Sequence, residues 1–147
     1  MSKPIFILNG PNLNLLGTRE PDIYGCTSLS DLKDMCETRA NERGLDIFFK
    51  QSNSEAQLLD WIHEAISDAD GIIINAAAFT HTSLAILDAL KNVKSPVIEV
   101  HISNPHQREK FRHHSYVAFA ATGAIVGLGV RGYLFAIDAM SDILANA

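Results

Sequence analysis

Two pairs of residues in this 147-residue sequence combine side chains that could move protons. Arg19 and Tyr24 lie five residues apart in a loop rich in Gly, Pro and Asn. An unperturbed phenol has a pKa of about 10 and is about 0.1% ionised at neutral pH. A guanidinium within roughly 4–6 Å favours the phenolate and lowers such a pKa by about 1–3 units. The pair could therefore supply a general base, the alternative being a solvated arginine and a packing tyrosine.

Glu99 and His101 form the second pair, at alternate positions of a predicted strand. Alternate residues of a strand point to the same face, so we expect these two side chains to be neighbours. A carboxylate beside an imidazole favours the protonated ring, which can then act as a general acid near neutral pH. Taken alone, the two residues fit a structural ion pair equally well.

Further polar residues follow the predicted strands, and any single one of them is more often a turn or cap residue than a ligand contact. Their recurrence at successive strand ends favours a site. The residues concerned are Asn9, Asn12, Asn14, Asn75, Thr80, His81, Thr82, Ser83, Ser103, Asn104, Arg108 and Arg112.

Five short apolar segments alternate with helical patterns. The segments predicted to be strands are residues 5–8, 45–49, 71–74, 96–100 and 124–126, and the predicted helices begin near Ser28, Ser54, Ser83 and Arg131. The first strand is continuously apolar, as expected for a strand that is buried on both faces. This order predicts an α/β fold, a doubly wound five-stranded parallel sheet in three layers. Ligands of such sheets bind at the carboxyl ends of the strands, where the polar residues collect.

Composition narrows the classes of function. The length predicts one domain, residues 1–147. The 12 Lys and Arg residues and 17 Asp and Glu residues give a net charge of −5, which disfavours a nucleic-acid partner. The apolar run at residues 5–8 is too short for a signal peptide or a membrane helix, so we expect a cytoplasmic protein that does not bind membranes. Cys26 and Cys36 are predicted to be free thiols.

Several separated motifs resemble those of type II 3-dehydroquinate dehydratase, in order and at the expected distances. They are LNGPNLNLLGTREPDIYG at residues 8–25, QSNSE at 51–55, NAAAFTH at 75–81, EVHISNP at 99–105 and the stretch 123–133. The resemblance implies a flavodoxin-like fold and the reversible loss of water from 3-dehydroquinate to give 3-dehydroshikimate. That reaction serves either aromatic amino-acid biosynthesis or quinate breakdown. No cofactor and no metal are implied, and the implied assembly is a homododecamer of four trimers.

The resemblance also implies roles for individual residues. Tyr24 would be the base, Arg19 would stabilise the transition state, and His101, with Glu99 beside it, would be the proton donor. Asn12 would hold a water or polarise the carbonyl oxygen. Substrate binding would involve Asn75, His81, Asp88, Ile102, Ser103 and Arg112, with Asp88 reaching the site of a neighbouring subunit.

Residues 127–132 read GLGVRG, a literal GxGxxG sequence, and raise the alternative of a dinucleotide-binding domain. That fingerprint belongs to the first βαβ unit and needs a further strand after it, but only fifteen residues follow Gly132. Tight helix–strand packing is the favoured interpretation. A phospho-acceptor module of the same fold would need Asp residues at the early strand ends, where this chain has Asn9 and Asn75.

Two other chemistries are disfavoured. Six histidines suggest zinc, but His113 and His114 are adjacent and no HExxH or paired-cysteine motif supports them. Dehydration through an imine would need a lysine in the site, and of the six lysines only Lys50 is predicted near a strand end.

Overall fold

Five parallel strands form one sheet in the computed structural model, which describes residues 2–18, 20, 22 and 25–147. The strands are β1 (Ile5–Asn9), β2 (Ile47–Gln51), β3 (Gly71–Asn75), β4 (Val97–His101) and β5 (Gly123–Val126). Their order across the sheet is β2-β1-β3-β4-β5. This is the flavodoxin-like order, and the predicted doubly wound α/β architecture is confirmed.

Within the described residues, three α-helices connect successive strands, α1 (Leu29–Glu42), α2 (Glu55–Asp68) and α3 (Leu84–Leu90), and a fourth, α4 (Arg131–Ala145), follows β5. Ser28 caps α1 through a reciprocal capping box with Asp31. Ser54 and Gln57 have the sequence spacing of a second capping box before α2, but only half of that box forms at Ser54. Its hydroxyl accepts from the Gln57 N–H, but its own N–H donates to the Ser52 hydroxyl.

The helices form a layer on each face of the sheet. Ile5 and Ile7 of β1 pack into a core with α1 and α4, whereas Phe6 and Leu8 pack into a core with α2 and α3. Because neighbouring strand residues face opposite layers and both layers are apolar, the strand reads as a continuous apolar run.

Some predicted element details differ from the structure. The second strand was expected at residues 45–49 but occupies Ile47–Gln51. It begins later because Gly44 and Leu45 form the turn that closes α1, in which Gly44 has φ +69° and the Leu45 N–H donates to the Ala40 carbonyl. The sequence predicts an apolar stripe on α2 formed by Leu58, Leu59, Ile62 and Ile66, but Ile66 is 46% exposed and Ala65 is buried instead.

The cysteine prediction is confirmed, since Cys26 is an exposed and Cys36 a buried free thiol. Burial, helped by the negative charge of Glu37, raises the pKa of Cys36 to about 12, so this thiol stays protonated. Within the described residues, no helix is both long enough and apolar enough to cross a bilayer.

Candidate active site

A cleft of about 670 Å³, including its open mouth, lies at the carboxyl ends of β1, β3 and β4. Strand order reverses between β1 and β3, and in doubly wound sheets this reversal opens a crevice for ligands. The polar residues that line the cleft are Asn12, Asn75, His81, His101, Ser103, Arg108 and Arg112.

Glu99 and His101 are joined by a buried hydrogen bond. The ring Nε2 of His101 lies 2.6 Å from Glu99 Oε2, and both side chains are less than 10% exposed. A carboxylate only accepts, so Nε2 carries the proton of this bond. Burial acts to raise the pKa of Glu99, but the hydrogen bond and positive charge of His101, with a hydrogen bond from Ser115, outweigh it and lower that pKa. Glu99 is therefore ionised and places a negative charge against the His101 ring.

His81 is held across the cleft by a backbone carbonyl. Its Nδ1 lies 2.7 Å from the carbonyl oxygen of His114, so Nδ1 carries a proton and the neutral ring has its lone pair on Nε2. Burial is the main cause that lowers the pKa of His81, and the nearby positive charges of His101 and Arg112 add to it. The hydrogen bond to the His114 carbonyl and the negative charge of Glu99 act to raise the pKa of His81, but they do not cancel the decrease. The neutral ring is the form expected near pH 7.

Asn75 is fixed by a buried network at the floor of the cleft. Its Nδ2 donates to the Tyr133 hydroxyl at 2.9 Å, and that hydroxyl donates to Asn9 Oδ1 at 2.7 Å. Asn75 Oδ1 accepts from the Ala77 N–H at 3.1 Å. Within the described residues, one N–H and one oxygen lone pair of this amide remain available to a ligand.

The loop after β4 is braced by the turn after β5. The N–H of Gly127 donates to the carbonyls of His101 and Ser103, and the N–H of Gly129 donates to that of Ile102. Within the described part of the chain, the backbone N–H groups of Ile102 and Ser103 make no hydrogen bond. Two donors beside a cleft are suited to an anion.

The same contacts explain the GxGxxG sequence. Gly127 and Gly129 have φ values of +79° and +67°, and a Cβ at Gly127 would lie 3.0 Å from Asn104 Cβ. A Cβ at Gly132 would meet Val100 and Ile125 only at ordinary van der Waals distances. Of these three glycines, Gly127 is the one at which close packing leaves little room for a side chain. The turn that contains Gly127 and Gly129 therefore packs against the loop after β4.

Asn12 lies in the loop after β1 with φ +70°. Its N–H donates to Asn53 Oδ1 at 2.9 Å, and Gln51 Nε2 donates to the Gly10 carbonyl at 3.1 Å. The end of β2 thus anchors the backbone that carries Asn12, whose side chain is exposed in the cleft.

Two arginines border the cleft on the segment after β4. Arg108 Nη1 donates to the Ser103 hydroxyl at 3.3 Å, and Arg112 Nε donates to Glu109 Oε1 at 2.9 Å. Glu109 Oε1 also lies 4.0 Å from Arg108 Nε, so this carboxylate offsets part of the positive charge of the two arginines.

Comparison with known proteins shows which family shares this arrangement. The family profile for class II dehydroquinase matches residues 3–141. The chain belongs to the class II dehydroquinase family. A "3-dehydroquinate dehydratase" of Maricaulis maris is 53% identical over 146 residues, covering 99% of this chain and 100% of that protein. One of Caulobacter vibrioides is 55% identical over 144 residues, covering 98% and 99%.

A solved structure supports the same assignment. The crystal structure of the type II dehydroquinase from Propionibacterium acnes has a TM-score of 0.93 and is 48% identical, covering 97% of this chain and 98% of that one. The class II dehydroquinase fold and its flavodoxin-like topology are therefore shared over almost the whole chain.

The structure brings together most of the residues predicted for a dehydroquinase site. Those that line the cleft are Asn12, Asn75, His81, His101, Ile102, Ser103 and Arg112, with Glu99 directly behind His101. Asp88 is exposed on α3 and does not line the cleft of its own chain. Arg19 and Tyr24 lie outside the described residues.

Three residues that contact the cleft residues or Glu99 received no role from the sequence. Arg108 stood among the polar residues after β4, but its contact with Ser103 has no signature in the spacing. Tyr133 and Ser115 lie 34 and 16 positions after Glu99, and no periodic pattern connects them to the strand ends. Among the described residues, no group of three or more His, Cys, Asp or Glu side chains could hold a metal ion.

Proposed function

We propose that this chain is a hydro-lyase that removes water reversibly from 3-dehydroquinate to give 3-dehydroshikimate. The elimination is trans and passes through an enolate, with Tyr24 as base and His101 as acid. The observation that carries the proposal is the His101–Glu99 hydrogen bond of 2.6 Å at a polar cleft, in a chain of the class II dehydroquinase family. The name of the relatives, "3-dehydroquinate dehydratase", supports the same substrate.

We assign the base to Tyr24 from its motif, and to Arg19 the positive charge that would favour the phenolate. The ketone acidifies the adjacent C–H, so a phenolate can take that proton and leave an enolate. Tyr133 is unsuited to this task. Its phenol is buried, and burial raises its pKa far above the ordinary value against the smaller effect of the Asn75 hydrogen bond. A phenol in that position stays protonated.

The acid is assigned to His101. Glu99 holds the Nε2 proton, so Nδ1 of the imidazolium carries the proton that can be transferred. That proton goes to the departing hydroxyl, which leaves as water while the enolate electrons form the conjugated double bond. The charge on Glu99 stabilises the imidazolium before the transfer.

Two groups of donors suit the charges on the substrate and the intermediate. The N–H groups of Ile102 and Ser103, with the Ser103 hydroxyl, suit the substrate carboxylate. Asn12, directly or through a water, suits the oxyanion of the enolate. One such donor contributes about 2.7–4 kcal/mol to transition-state stabilisation in other enzymes.

The cleft offers both hydrogen-bond donors and a hydrogen-bond acceptor to the ring hydroxyls of the substrate. Asn75 offers an N–H, neutral His81 offers the Nε2 lone pair, and Arg112 offers guanidinium donors. A hydroxyl both donates and accepts, so this set distinguishes a polyhydroxylated ring from an apolar one.

Asp88 links the site to the assembly of subunits. The carboxylate is exposed on α3, away from the cleft of its own chain, and we assign it to the site of a neighbouring subunit. The assembly is a homododecamer of four trimers, so that each trimer completes its own sites.

An ultraviolet assay tests the activity, because the product is a conjugated enone that absorbs where 3-dehydroquinate does not. We expect absorbance to rise with the purified chain and to rise equally in a strong chelator. No change in absorbance with folded protein contradicts the activity, and a chelator-induced loss that zinc restores contradicts the metal-free mechanism.

The Tyr24→Phe variant tests the base. We expect kcat to fall by about 10²–10⁴-fold, the usual contribution of a positioned base, with binding of a substrate analogue retained. Tyr116→Phe is the matched control, since it also removes one phenolic hydroxyl but at a residue that does not line the cleft. Substantial turnover by Tyr24→Phe would transfer the role of base to another group.

A further inference from the structure

Ser115 lies outside the cleft yet touches the acid pair. Its Oγ is 2.7 Å from Glu99 Oε2, the same oxygen that lies 2.6 Å from His101 Nε2. Ser115 does not line the cleft and is partly buried. Its hydroxyl contacts the carboxylate of the pair and not the His101 ring.

The direction of the hydrogen bond follows from the other contact of this hydroxyl. The backbone N–H of Ala118 donates to Ser115 Oγ at 3.0 Å, and an ionised carboxylate has no proton to give. The hydroxyl of Ser115 therefore accepts from Ala118 and donates to Glu99. Hydrogen bonds to ionised groups are stronger than neutral ones, and this chain of two is anchored on backbone.

The segment that carries Ser115 also holds the other histidine of the cleft. The His114 carbonyl accepts from His81 Nδ1 at 2.7 Å, and the Tyr116 N–H donates to the Thr80 carbonyl at 2.9 Å. Residues 114–116 thus contact both the segment of His81 and the partner of His101. A displacement at Ser115 would reach Glu99 directly, because Glu99 is only 3% exposed and bulk solvent has little access to replace the lost donor.

We propose that Ser115 is a positioning residue for the dehydration, fixing the Glu99 carboxylate so that Glu99 orients the His101 imidazole. The proposal rests on the proposed function for its kinetic consequence. Glu99 has three rotatable side-chain bonds, and a hydrogen bond from outside the cleft selects the rotamer that brings Oε2 to His101. Partners of this kind, one contact removed from the reacting groups, set ring orientation in other histidine sites.

Three variants test the proposal. In Ser115→Ala we expect kcat to fall on the order of tenfold, which corresponds to about 1.4 kcal/mol, with KM within about twofold of the parent. Ser115→Thr keeps a hydroxyl and is expected to recover most of the loss. Ser95→Ala is the matched control, because Ser95 is also a partly buried serine whose hydroxyl donates, here to the Ala69 carbonyl.

A spectroscopic measurement follows the hydrogen bond without turnover. With ¹⁵N-labelled histidine, the Nε2 resonance and its bound proton report the contact with Glu99. We expect these to move in Ser115→Ala, to return toward the parent in Ser115→Thr and to stay unchanged in Ser95→Ala. The thermal midpoint of each variant identifies a purely structural effect, which would lower stability without moving the His101 resonance.

The outcomes separate the two claims. Parental kcat in Ser115→Ala, an equal loss in Ser95→Ala, or an unmoved His101 resonance overturns the positioning role. A parent chain that folds but does not act on 3-dehydroquinate overturns the proposed function instead, while the histidine spectra still decide whether Ser115 orients the pair.

Discussion

The imidazole rings of His81 and His101 lie nearly parallel across the cleft, with centroids 6.4 Å apart and planes at 16°. Two positive charges at this separation disfavour each other. Burial first, and the positive charges of His101 and Arg112 after it, lower the pKa of His81 from 6.5 despite its hydrogen bond to the His114 carbonyl. The two rings also face different partners, since His81 Nδ1 lies against the His114 carbonyl and His101 Nε2 against the Glu99 carboxylate.

The lowered pKa of His81 predicts how stability depends on pH. Because the unfolded chain binds this proton more readily, the contribution of His81 is present above about pH 6.5 and is lost as pH falls through the folded-state pKa. We expect the free energy of unfolding in urea to decrease less between pH 7.5 and pH 5.5 in His81→Gln than in the parent. Exposed His63 supplies the control, and His63→Gln should follow the parent. Identical pH dependence in both variants would contradict the assignment.

Contacts that follow the strand period could be predicted from the sequence, and contacts made by irregular segments could not. Glu99 and His101 were expected to be neighbours because strand side chains repeat every two residues, and they are hydrogen-bonded. Ser115 reaches Glu99 from a short irregular segment whose path depends on tertiary packing. Hydrophobicity alone also misplaced Ile66, since the rotation of α2 against the sheet buries Ala65 instead.

Tyr133→Phe tests the buried network under the cleft. Removing the hydroxyl leaves Asn75 Nδ2 and Asn9 Oδ1 without their shared partner, and an unsatisfied buried polar group costs about 1–3 kcal/mol. We expect the free energy of unfolding in urea to fall by about that amount, and KM to rise as the Asn75 amide gains freedom. Unchanged stability would show that water or a shifted side chain replaces the hydroxyl.

Gly127→Ala tests the turn that braces the β4 loop. The variant places a Cβ at φ +79° and 3.0 Å from Asn104 Cβ, next to the two hydrogen bonds that Gly127 makes to the loop. A non-glycine residue in this region costs about 1–2 kcal/mol. We expect lower stability together with a several-fold rise in KM for 3-dehydroquinate, because the loop carries Ile102 and Ser103.

Gly44→Ala is the control for that experiment. Gly44 has φ +69°, similar to Gly127, but a Cβ there meets nothing within 4 Å, and the residue ends α1 away from the cleft. Its variant should lose a similar amount of stability with KM unchanged. If both variants raise KM equally, the effect of Gly127→Ala comes from general destabilisation.

Arg19→Ala tests whether a guanidinium favours the phenolate of Tyr24. Without that charge the phenol needs a higher pH to ionise, so we expect the acidic limb of the kcat profile to move up by about 1–3 pH units. Arg19→Lys retains a positive charge and should move the limb less. An acidic limb that stays in place in Arg19→Ala would show that Arg19 acts elsewhere in the reaction.

Asp88→Ala tests the assignment of that carboxylate to a neighbouring subunit. A lost hydrogen bond to a charged group costs about 1.5–3 kcal/mol, so KM should rise by about tenfold or more if Asp88 completes a site in the assembly. Asp60→Ala removes an exposed carboxylate from α2 and should leave KM unchanged. Light scattering under assay conditions gives the mass of the active species for each protein. A fully active monomer, or an Asp88→Ala variant with parental KM, would confine the whole site to one chain.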